Sequence, residues 1–436
     1  MDFETLLQNQ YGDKEASALL SALEEERTHS LVLNDKKIKD QDFEATYPNV
    51  RKHPFVPHAY YYDPKEYDFG KSFLYDVGAF SIQDASAMMV PYLLDPQKED
   101  VILDFCAAPG GKSVLLSLLK DDQGLIVSND LSYPRAKILS AAIERMGRGN
   151  VLACANDFSL IYKNYRETFD KILLDAPCSG TAMFRKNEQA KKEWSIAKSL
   201  KFSLVQKELL DEAAYMLKPG GVIAYSTCSF MKEENEDVVL SFLEKHPDFH
   251  VLKASIDDPS FYHSPVLKEG IHFLPNRFEG EGQYICLLKK NGSIERSTSP
   301  SFRVEKKYLP FLKEYGLENR ETLLLHDSLY SATLPFPVSK LNVLRYGVKA
   351  IDDLKLMIPD HALARYLDPS YSLSLNEKET RAYVRGETFQ IDAEDGFHVV
   401  SHQGLTLGWI KAVKGIAKNH YPKGLRHDYL VLNSSL

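Results

Sequence analysis

Residues 104–113 read Asp-Phe-Cys-Ala-Ala-Pro-Gly-Gly-Lys-Ser, and this stretch decides the fold. It overlaps the end of a short apolar run, Val101–Phe105, and leads into a helix-prone stretch, Ser113–Lys120. Small residues and glycine let a backbone approach a ligand closely, and a helix N-terminus presents free N–H groups with a partial positive charge. The pattern predicts a strand, a ligand-binding loop and a helix in succession.

Strand-like and helix-like stretches alternate over residues 71–290. Further strand-like runs lie at Gly124–Asn129, Asn150–Ala155, Lys171–Asp175 and Gly221–Thr227. Helix-like stretches lie at Pro134–Met146, Ser199–Leu217 and Glu233–Lys245. Buried parallel strands read as continuous apolar runs, and the crossovers between them are helical. We therefore predict an α/β fold with a doubly wound, mostly parallel sheet, closed by an edge strand at residues 283–288.

The segments on either side of this region differ from it in texture. Residues 1–70 combine a helix-prone stretch with a short strand-like run at Ser30–Asn34, and we predict an N-terminal cap. Residues 291–304 are polar and Ser-rich, which predicts a linker, followed by an intermediate segment over 305–360. Residues 361–436 are predicted to form a small β-rich module. Its short strand-like runs are Tyr383–Val384, Thr388–Ile391, Gly396–Ser401 and Leu407–Ile410.

The formal net charge of −8 argues against a nucleic acid partner, but the charge is unevenly distributed. Residues 291–436 carry 19 Lys and Arg against 17 Asp and Glu, whereas the rest of the chain carries 34 against 44. Within the tail, residues 411–426 contain no acidic residue and five cations, at Lys411, Lys414, Lys418, Lys423 and Arg426. This basic patch fits contact with phosphates, or a plain solvated face.

The five cysteines stand at least 24 residues apart, which predicts neither a zinc framework nor any other metal site. An odd and scattered set of cysteines suggests reduced thiols and a cytoplasmic location. The acidic N-terminus is unlike a signal peptide, and no apolar run reaches the roughly 18–20 residues of a membrane helix. We expect a monomer without a membrane partner.

Three cofactors compete for the loop at 104–113. A nucleotide P-loop needs glycine five positions before Gly111, where Cys106 stands, and the dinucleotide pattern Gly-x-Gly-x-x-Gly is absent. S-adenosylmethionine remains, because its carboxylate suits the loop. Its ribose needs an acid at the end of the next strand, where Asp130 stands, and Asp157 could accept from the adenine amino group. Either acid alone would equally fit a loop acid or a helix cap.

Two cysteines follow neighbouring predicted strands. Residues 175–180 read Asp-Ala-Pro-Cys-Ser-Gly, and residues 226–229 read Ser-Thr-Cys-Ser. Ligands bind at the C-terminal edge of an α/β sheet, so we predict that Cys178 and Cys228 share one rim beside the cofactor. A lone cysteine at a strand end is usually a small buried hydrophobe, but two at successive strand ends indicate chemistry.

Two thiols at such a rim fit methylation of cytosine at C5. This carbon becomes nucleophilic when a thiolate adds to C6, and the adduct must then lose the C5 proton to a base, for which the second thiol is a candidate. Asp175 would stabilise the adduct through the cytosine N3 and amino group. A free thiol has a pKa of about 8.5, so the attacking cysteine needs activation, with Lys112 and the helix N-terminus as possible sources. Spacing alone leaves open which cysteine attacks.

With these residues the chain resembles the Nol1/Nop2/Sun family of RNA 5-methylcytosine methyltransferases. Three motifs carry the resemblance, at Cys106–Lys112, Asp175–Gly180 and Thr227–Cys228, within a similar region over residues 20–290. The resemblance implies a class I Rossmann-like methyltransferase fold, with Cys228 as nucleophile and Cys178 assisting product release. The cofactor residues that it implies are Cys106, Ala107, Ala108, Pro109, Gly110, Gly111, Lys112, Asp130, Asp157 and Asp175.

Within this family the tail resembles the RsmF branch, through Leu407–Trp409 and residues 418–426. That branch implies a PUA-like RNA-binding module at 361–436, an RNA-recognition role for the cap, and small-subunit ribosomal RNA or the small ribosomal subunit as partner. The predicted RNA contacts are Arg185, Lys186, Lys418, Lys423 and Arg426. The alternatives are a transfer RNA methyltransferase, a nucleotide-binding phosphotransferase, and a non-catalytic RNA-binding or ribosome-assembly protein.

Overall fold

A computed structural model describes residues 2–186, 188–295 and 306–426. Residues 296–304 of the predicted linker lie outside the described residues. Within the described ranges the strands form four sheets. No described helix combines the length and the apolar character that a bilayer crossing requires.

The N-terminal part is a small antiparallel sheet with helices around it. Its helices are α1 (Phe3–Tyr11), α2 (Asp13–Leu23), α3 (Asp40–Thr46) and α4 (Phe73–Asp76). Its strands are β1 (Ser30–Leu33), β2 (Arg51–Lys52), β3 (Ala59–Tyr61) and β4 (Phe80–Ile82), in the order β2-β3-β1-β4. The strand predicted at Ser30–Asn34 is confirmed. Because β4 pairs with β1, this sheet extends past the predicted boundary at residue 70.

The central part alternates strands and helices. Its helices are α5 (Ala85–Leu93), α6 (Gly111–Leu119), α7 (Tyr133–Met146), α8 (Phe158–Asn164), α9 (Glu188–Glu193), α10 (Ile196–Met216) and α11 (Glu236–Lys245). Its strands are β5 (Val101–Asp104), β6 (Leu125–Asn129), β7 (Val151–Cys154), β8 (Phe169–Asp175), β9 (Leu217–Thr227), β10 (Phe249–Leu252), β11 (Tyr262–His263), β12 (Ile271–Phe273) and β13 (Gln283–Lys290).

The central sheet has the predicted doubly wound topology. Strands β9, β8, β5, β6 and β7 are neighbours in that order and run parallel. The strand order reverses at β5, so the loops after β5 and β8 face one crevice at the C-terminal edge, where ligands bind in such sheets. The prediction of β13 as an edge strand is wrong, because β13 lies between β9 and β12. Residues 249–273 supply β10, β11 and β12, which continue the central sheet beyond β13.

Two smaller sheets follow the central part. The helices are α12 (Leu309–Glu314), α13 (His361–Tyr366) and α14 (Glu377–Arg385). The strands are β14 (Glu321–Leu325), β15 (Ser328–Ala332), β16 (Val343–Tyr346), β17 (Val348–Asp353), β18 (Ile358–Pro359), β19 (Ser372–Ser374), β20 (Phe389–Gln390), β21 (Gly396–His402), β22 (Leu405–Val413) and β23 (Ile416–Asn419). The sheets are β14-β15-β17-β18 and β19-β21-β22-β23-β20, while β16 pairs with β7 and extends the central sheet.

The prediction of a strand at Tyr383–Val384 is wrong, because both residues lie in α14. Asn376 and Glu379 form a capping box in which each side chain accepts from the other residue's backbone N–H. These reciprocal bonds satisfy N–H groups that a helix start leaves free. Tyr383 and Val384 are buried on the inner face of this helix, so their strand propensity does not decide the structure.

The C-terminal module shares a hydrophobic core with the N-terminal sheet. Residues of the first 80 positions, including Leu31, Phe43 and Phe80, belong to one buried cluster with Leu375 and Leu407 of the C-terminal module. The five-stranded sheet therefore does not fold around a core of its own alone. Removing this module would expose apolar side chains of the N-terminal part, so single surface substitutions are better probes of its function.

Candidate active site

The loop between β5 and α6 packs tightly against the next helix. Gly110 has a φ of +113°, and a Cβ at this position would lie 3.0 Å from Leu139 Cδ1 and 3.3 Å from its Cα on α7. Asp130, at the end of β6, accepts from the backbone N–H of Ala108 at 3.3 Å and from that of Ser132 at 2.9 Å. Asp130 therefore positions the loop as well as standing where a cofactor ribose is predicted.

A cleft of about 420 Å³ lies between this loop and the N-terminal part. Two acceptor atoms in residues that line it, Asp104 Oδ1 and Gln83 Oε1, are buried without a hydrogen-bond partner. Burial raises the pKa of Asp104 to about 7, against the opposing effect of the hydrogen bond that Ser113 donates. An unpartnered buried acceptor is costly, so the cleft favours a ligand that brings a donor.

Asp157 has a different environment. It is exposed, and it caps α8 by accepting the backbone N–H of Ser159 at 2.9 Å. Hydrogen bonds from the side chain and from the backbone N–H of Ser159 lower the pKa of Asp157. Asp157 does not line the cleft beside the loop, so its predicted contact with adenine stays a prediction.

The two motif cysteines meet at the C-terminal edge of the sheet. Cys178 follows β8 and Cys228 follows β9, and their sulfur atoms are 3.0 Å apart. The hydrogen bond with Cys228 and burial raise the pKa of Cys178 well above its usual value, and the charges of Cys228, Glu234 and Asp175 add to this. The raised pKa favours the protonated form of Cys178, which can donate a hydrogen bond to Cys228.

An ion pair stands beside the two sulfurs. Lys112 Nζ donates to Asp175 Oδ2 at 2.7 Å, while Asp175 Oδ1 accepts from Ser226 Oγ at 2.8 Å and from Gln283 Nε2 at 2.9 Å. Burial alone would lower the pKa of Lys112, but attraction to Asp175 and Cys228 raises it. Lys112 thus stays a cation near Cys228, which is the charge that stabilises a thiolate.

A third thiol, Cys106, lies in the cofactor loop, which is the loop between β5 and α6 where a cofactor is predicted to bind. Burial raises its pKa well above the usual value, and the nearby carboxylates of Asp104, Asp175 and Asp130 add to the effect. A protonated thiol is a weak nucleophile, so Cys106 is poorly suited to attack a substrate.

The predicted RNA contacts fall into two groups. The side chain of Arg185 is only 4% exposed, donates to the carbonyl of Ala22 at 2.9 Å and lies 3.5 Å from Glu281. This burial argues against the predicted contact between Arg185 and an RNA backbone. Lys186 instead lines the cleft beside the loop. The three predicted RNA contacts in the tail, Lys418, Lys423 and Arg426, are exposed on the C-terminal module.

The N-terminal helices α1 and α2 contribute to the site. This contribution could not be predicted from the sequence alone. Helices α1 and α2 pack on the segments that follow both cysteines, in a cluster with Ala182 and Phe230. Tyr11 Oη and Gln10 Nε2 both donate to the carbonyl of Phe230 at 2.7 Å. Tyr11 is one of several apolar positions at helical spacing in α1 and α2, and such spacing signals a buried face but not its partner.

Four further polar residues of the site were also missed. They are Gln83, Ser226, Glu234 and Gln283. Each is a common surface residue type, and only their burial and their partners reveal a role.

Three family profiles match successive parts of the chain. The family described as 16S rRNA methyltransferase RsmB/F matches residues 91–289. The N-terminal domain of 16S rRNA methyltransferase RsmF matches residues 1–85, and the methyltransferase RsmF PUA domain matches residues 370–427. The predicted PUA-like module and the RsmF branch are therefore confirmed.

Relatives and solved structures agree with this assignment. Ribosomal RNA small subunit methyltransferase F of Shewanella loihica is 30% identical over 93% of this chain and 91% of its own. The protein of the same name from Aeromonas salmonicida is 33% identical over 80% of this chain and 79% of its own.

Two solved structures from Pyrococcus horikoshii share the fold. A methyltransferase homolog has a TM-score of 0.57 at 28% identity, covering 66% of this chain and 93% of its own. NSun6 has a TM-score of 0.59 at 22% identity, covering 66% and 98%. The three matched regions and the full-length relatives lead to one assignment: the chain belongs to the RsmB/F family of 16S rRNA methyltransferases, in its RsmF branch.

Proposed function

We propose that this protein methylates C5 of a cytosine in small-subunit ribosomal RNA, with S-adenosylmethionine as methyl donor and a covalent bond between Cys228 and C6. One observation carries the proposal. Two sulfurs stand 3.0 Å apart beside a Lys112–Asp175 ion pair, at the sheet edge next to the cofactor loop. Addition to a pyrimidine ring needs one activated thiol, and its reversal needs a second proton-transfer group.

The residues around the loop fit S-adenosylmethionine. The unpartnered Asp104 Oδ1 would accept from the ammonium group of the cofactor, and the N-terminus of α6 would receive its carboxylate. Asp130 stands at the end of β6 for the ribose hydroxyls, and Asp157 is the proposed partner of the adenine amino group. When bound, the cofactor supplies an electrophilic methyl group on a sulfonium sulfur.

Cys228 starts the reaction as a thiolate, stabilised by the Lys112 cation and by the hydrogen bond with Cys178. Its sulfur forms a bond to C6, and the electron pair of the C5–C6 double bond becomes available at C5 for bonding to the methyl carbon. Asp175 would accept a hydrogen bond from the cytosine amino group, which fixes the base, while the Lys112 ammonium group paired with Asp175 would offset the negative charge of the adduct.

Cys178 then supports the release of the product. Once Cys228 is a thioether, it no longer carries a charge that raises the pKa of Cys178. Cys178 can lose its proton to solvent and take the C5 proton as a base. The electrons of the C5–H bond re-form the C5–C6 double bond, and the C6–S bond breaks to return its electron pair to Cys228.

The methylated nucleoside tests the proposal. The purified protein would be incubated with methyl-labelled S-adenosylmethionine and either 16S ribosomal RNA, intact small subunits or transfer RNA, and the RNA would then be digested to nucleosides. We expect labelled 5-methylcytidine from the ribosomal substrates. Label in a different nucleoside would overturn the C5 chemistry, and label only in transfer RNA would overturn the proposed substrate.

Two clefts that share lining residues suggest a groove by which RNA reaches the site. The cleft beside the cofactor loop shares Tyr75, Ile138, Ala142 and Arg145 with a neighbouring cleft of about 370 Å³. The second cleft extends to Tyr421 and Leu425 of the C-terminal module. This groove would lead an RNA strand from the active site to the basic segment of the tail. The target base must leave its stack to reach the thiols, at a cost of roughly a few kcal/mol, and contacts in the groove would offset it.

Reversing two charges of the tail tests the RNA contact. In the double variant Lys418→Glu/Lys423→Glu we expect about tenfold weaker binding to the ribosomal RNA fragment and a salt dependence reduced by about two counter-ions, because each lysine neutralises one phosphate. Cofactor affinity should not change. The matched control is Lys340→Glu/Lys355→Glu, two exposed lysines outside both clefts. Equal losses in both double variants, measured by filter binding at several salt concentrations, would contradict the contact.

A further inference from the structure

Glu234 connects the loops that carry the two cysteines. It is fully buried, in the short turn of 3-10 helix before α11. Its carboxylate accepts from the backbone N–H of Ser179 at 2.8 Å, from the Ser179 hydroxyl, and from the Ser229 hydroxyl at 2.8 Å. Ser179 directly follows Cys178, and Ser229 directly follows Cys228. One carboxylate therefore ties both thiol-bearing loops together.

A fourth donor extends the same link to the strand end before Cys178. Gln206 Nε2, on α10, donates to Glu234 Oε2 at 3.1 Å and to the carbonyl of Pro177 at 2.8 Å. Among the described residues, the donors to Glu234 are uncharged, so neutral hydrogen bonds rather than a cation hold this side chain. Such a buried charge acts strongly on its neighbours, because little water screens it.

The two thiols interact with charged groups of opposite sign. Cys178 faces the carboxylates of Glu234 and Asp175, which add to the effects of the Cys228 hydrogen bond and of burial and help to raise its pKa. The charge of Cys228 helps to raise the pKa of Lys112, so an ammonium group lies within electrostatic reach of this sulfur. The Glu234 carboxylate, which is hydrogen-bonded to the N–H of the residue after Cys178, and the Lys112 cation, which interacts with the charge of Cys228, favour the arrangement in which Cys178 holds the proton and Cys228 carries the negative charge.

We propose that Glu234 is a positioning residue that fixes the two cysteine loops relative to each other and keeps the shared proton on Cys178, so that Cys228 is the sulfur that attacks. The consequence for catalysis rests on the proposed function. The proton distribution itself is a property of the free protein and can be measured without RNA or cofactor.

The test is the pH dependence of thiol alkylation. Wild type and Glu234→Gln would be treated with iodoacetamide over a range of pH, and the rate at each cysteine would be read by peptide mass spectrometry. In wild type we expect Cys178 to become reactive only at a pH well above that of an ordinary free thiol. In Glu234→Gln the midpoint of Cys178 should fall by on the order of one pH unit, because a neighbouring negative charge is gone.

Two further variants separate charge from loosening. Glu233→Gln makes the same change one residue earlier, at a side chain 18% exposed and 3.9 Å from Lys232, and it should leave the Cys178 midpoint unchanged. Glu234→Asp keeps the charge but draws it back by one methylene, so its midpoint should lie between wild type and Glu234→Gln. If Glu234→Gln does not fold, Glu234→Asp decides the matter: a lowered Cys178 midpoint supports the proposal, and the wild-type midpoint overturns it.

Two alkylation results would overturn the role of Glu234. A wild-type midpoint in folded Glu234→Gln overturns the inference, as does an equal shift in Glu233→Gln. In methylation assays Glu234→Gln should lower kcat with little change in the KM for the cofactor, because the cofactor loop is untouched. A shifted midpoint in a protein that never makes 5-methylcytidine would refute the proposed function and leave the role of Glu234 standing.

Discussion

Replacing Cys228 by alanine is expected to lower the rate of methylation by about a thousandfold or more and to leave no covalent RNA complex. The reason is that C5 of cytosine becomes a nucleophile only after a sulfur adds to C6, and no other thiol of the rim is ready to attack. The pKa of Cys178 is raised by its hydrogen bond and by burial, and burial keeps Cys106 protonated. Transfer of labelled methyl groups to ribosomal RNA measures the rate, and denaturing electrophoresis detects the complex.

The matched control for this variant is Cys286→Ala. Cys286 is also a buried thiol on a strand of the same sheet, but it faces the hydrophobic core, away from the rim. It should keep near wild-type methylation and show only a modest loss of stability, on the order of 1 kcal/mol, from the small cavity. Strong methylation by Cys228→Ala would refute Cys228 as nucleophile.

Replacing Cys178 by alanine is expected to have a different result: a protein–RNA complex that survives denaturation and accumulates in the presence of cofactor. Cys228 can still form its bond and the methyl group can still be transferred, but the C5 proton has lost its base. Turnover should fall by about a hundredfold or more, the range of a lost general base. A gel shift that requires cofactor and disappears after ribonuclease digestion would identify the complex.

The comparison of the two alanine variants separates the roles of the thiols. A stable complex formed by Cys228→Ala instead of Cys178→Ala would reverse the assignment. The raised pKa of Cys178 favours Cys228 as the nucleophile and Cys178 as the base. A protonated thiol is poorly suited to attack, but it can stabilise a neighbouring thiolate by donating a hydrogen bond. At 3.0 Å, the Cys178 thiol can donate a hydrogen bond to the Cys228 sulfur before the attack.

The rim of the site could be predicted because it follows from strand order. Apolar runs gave the parallel strands, and the rule that ligands bind beyond their C-terminal ends brought Cys178, Cys228 and the cofactor loop together. The structure agrees, with the two sulfurs in contact and Lys112 paired with Asp175. Motifs that end strands are therefore well predicted from one sequence.

The residues that hold this rim in place could not be predicted in the same way. Glu234 lies in the run Lys-Glu-Glu-Asn-Glu, which reads as an exposed helix start, yet its side chain is buried between two loops. Arg185 follows a predicted loop and reads as a surface cation, yet it pairs with Glu281. Glu234 accepts from Ser179, 55 positions earlier, and Arg185 pairs with Glu281 on a distant segment. No local pattern encodes such packing, and charge type alone does not reveal burial.

The joint core of the first and last parts of the chain has a consequence for biosynthesis. The apolar face around Leu31 and Phe43 finds its partners at Leu375 and Leu407, more than 300 residues later. A nascent chain emerges N-terminus first, so this face stays uncovered while the central sheet is already complete. During translation the nascent chain therefore has its two cysteine loops folded while the apolar surface of its N-terminal part is still exposed. Until the C-terminal module emerges, this surface can bind chaperones or aggregate.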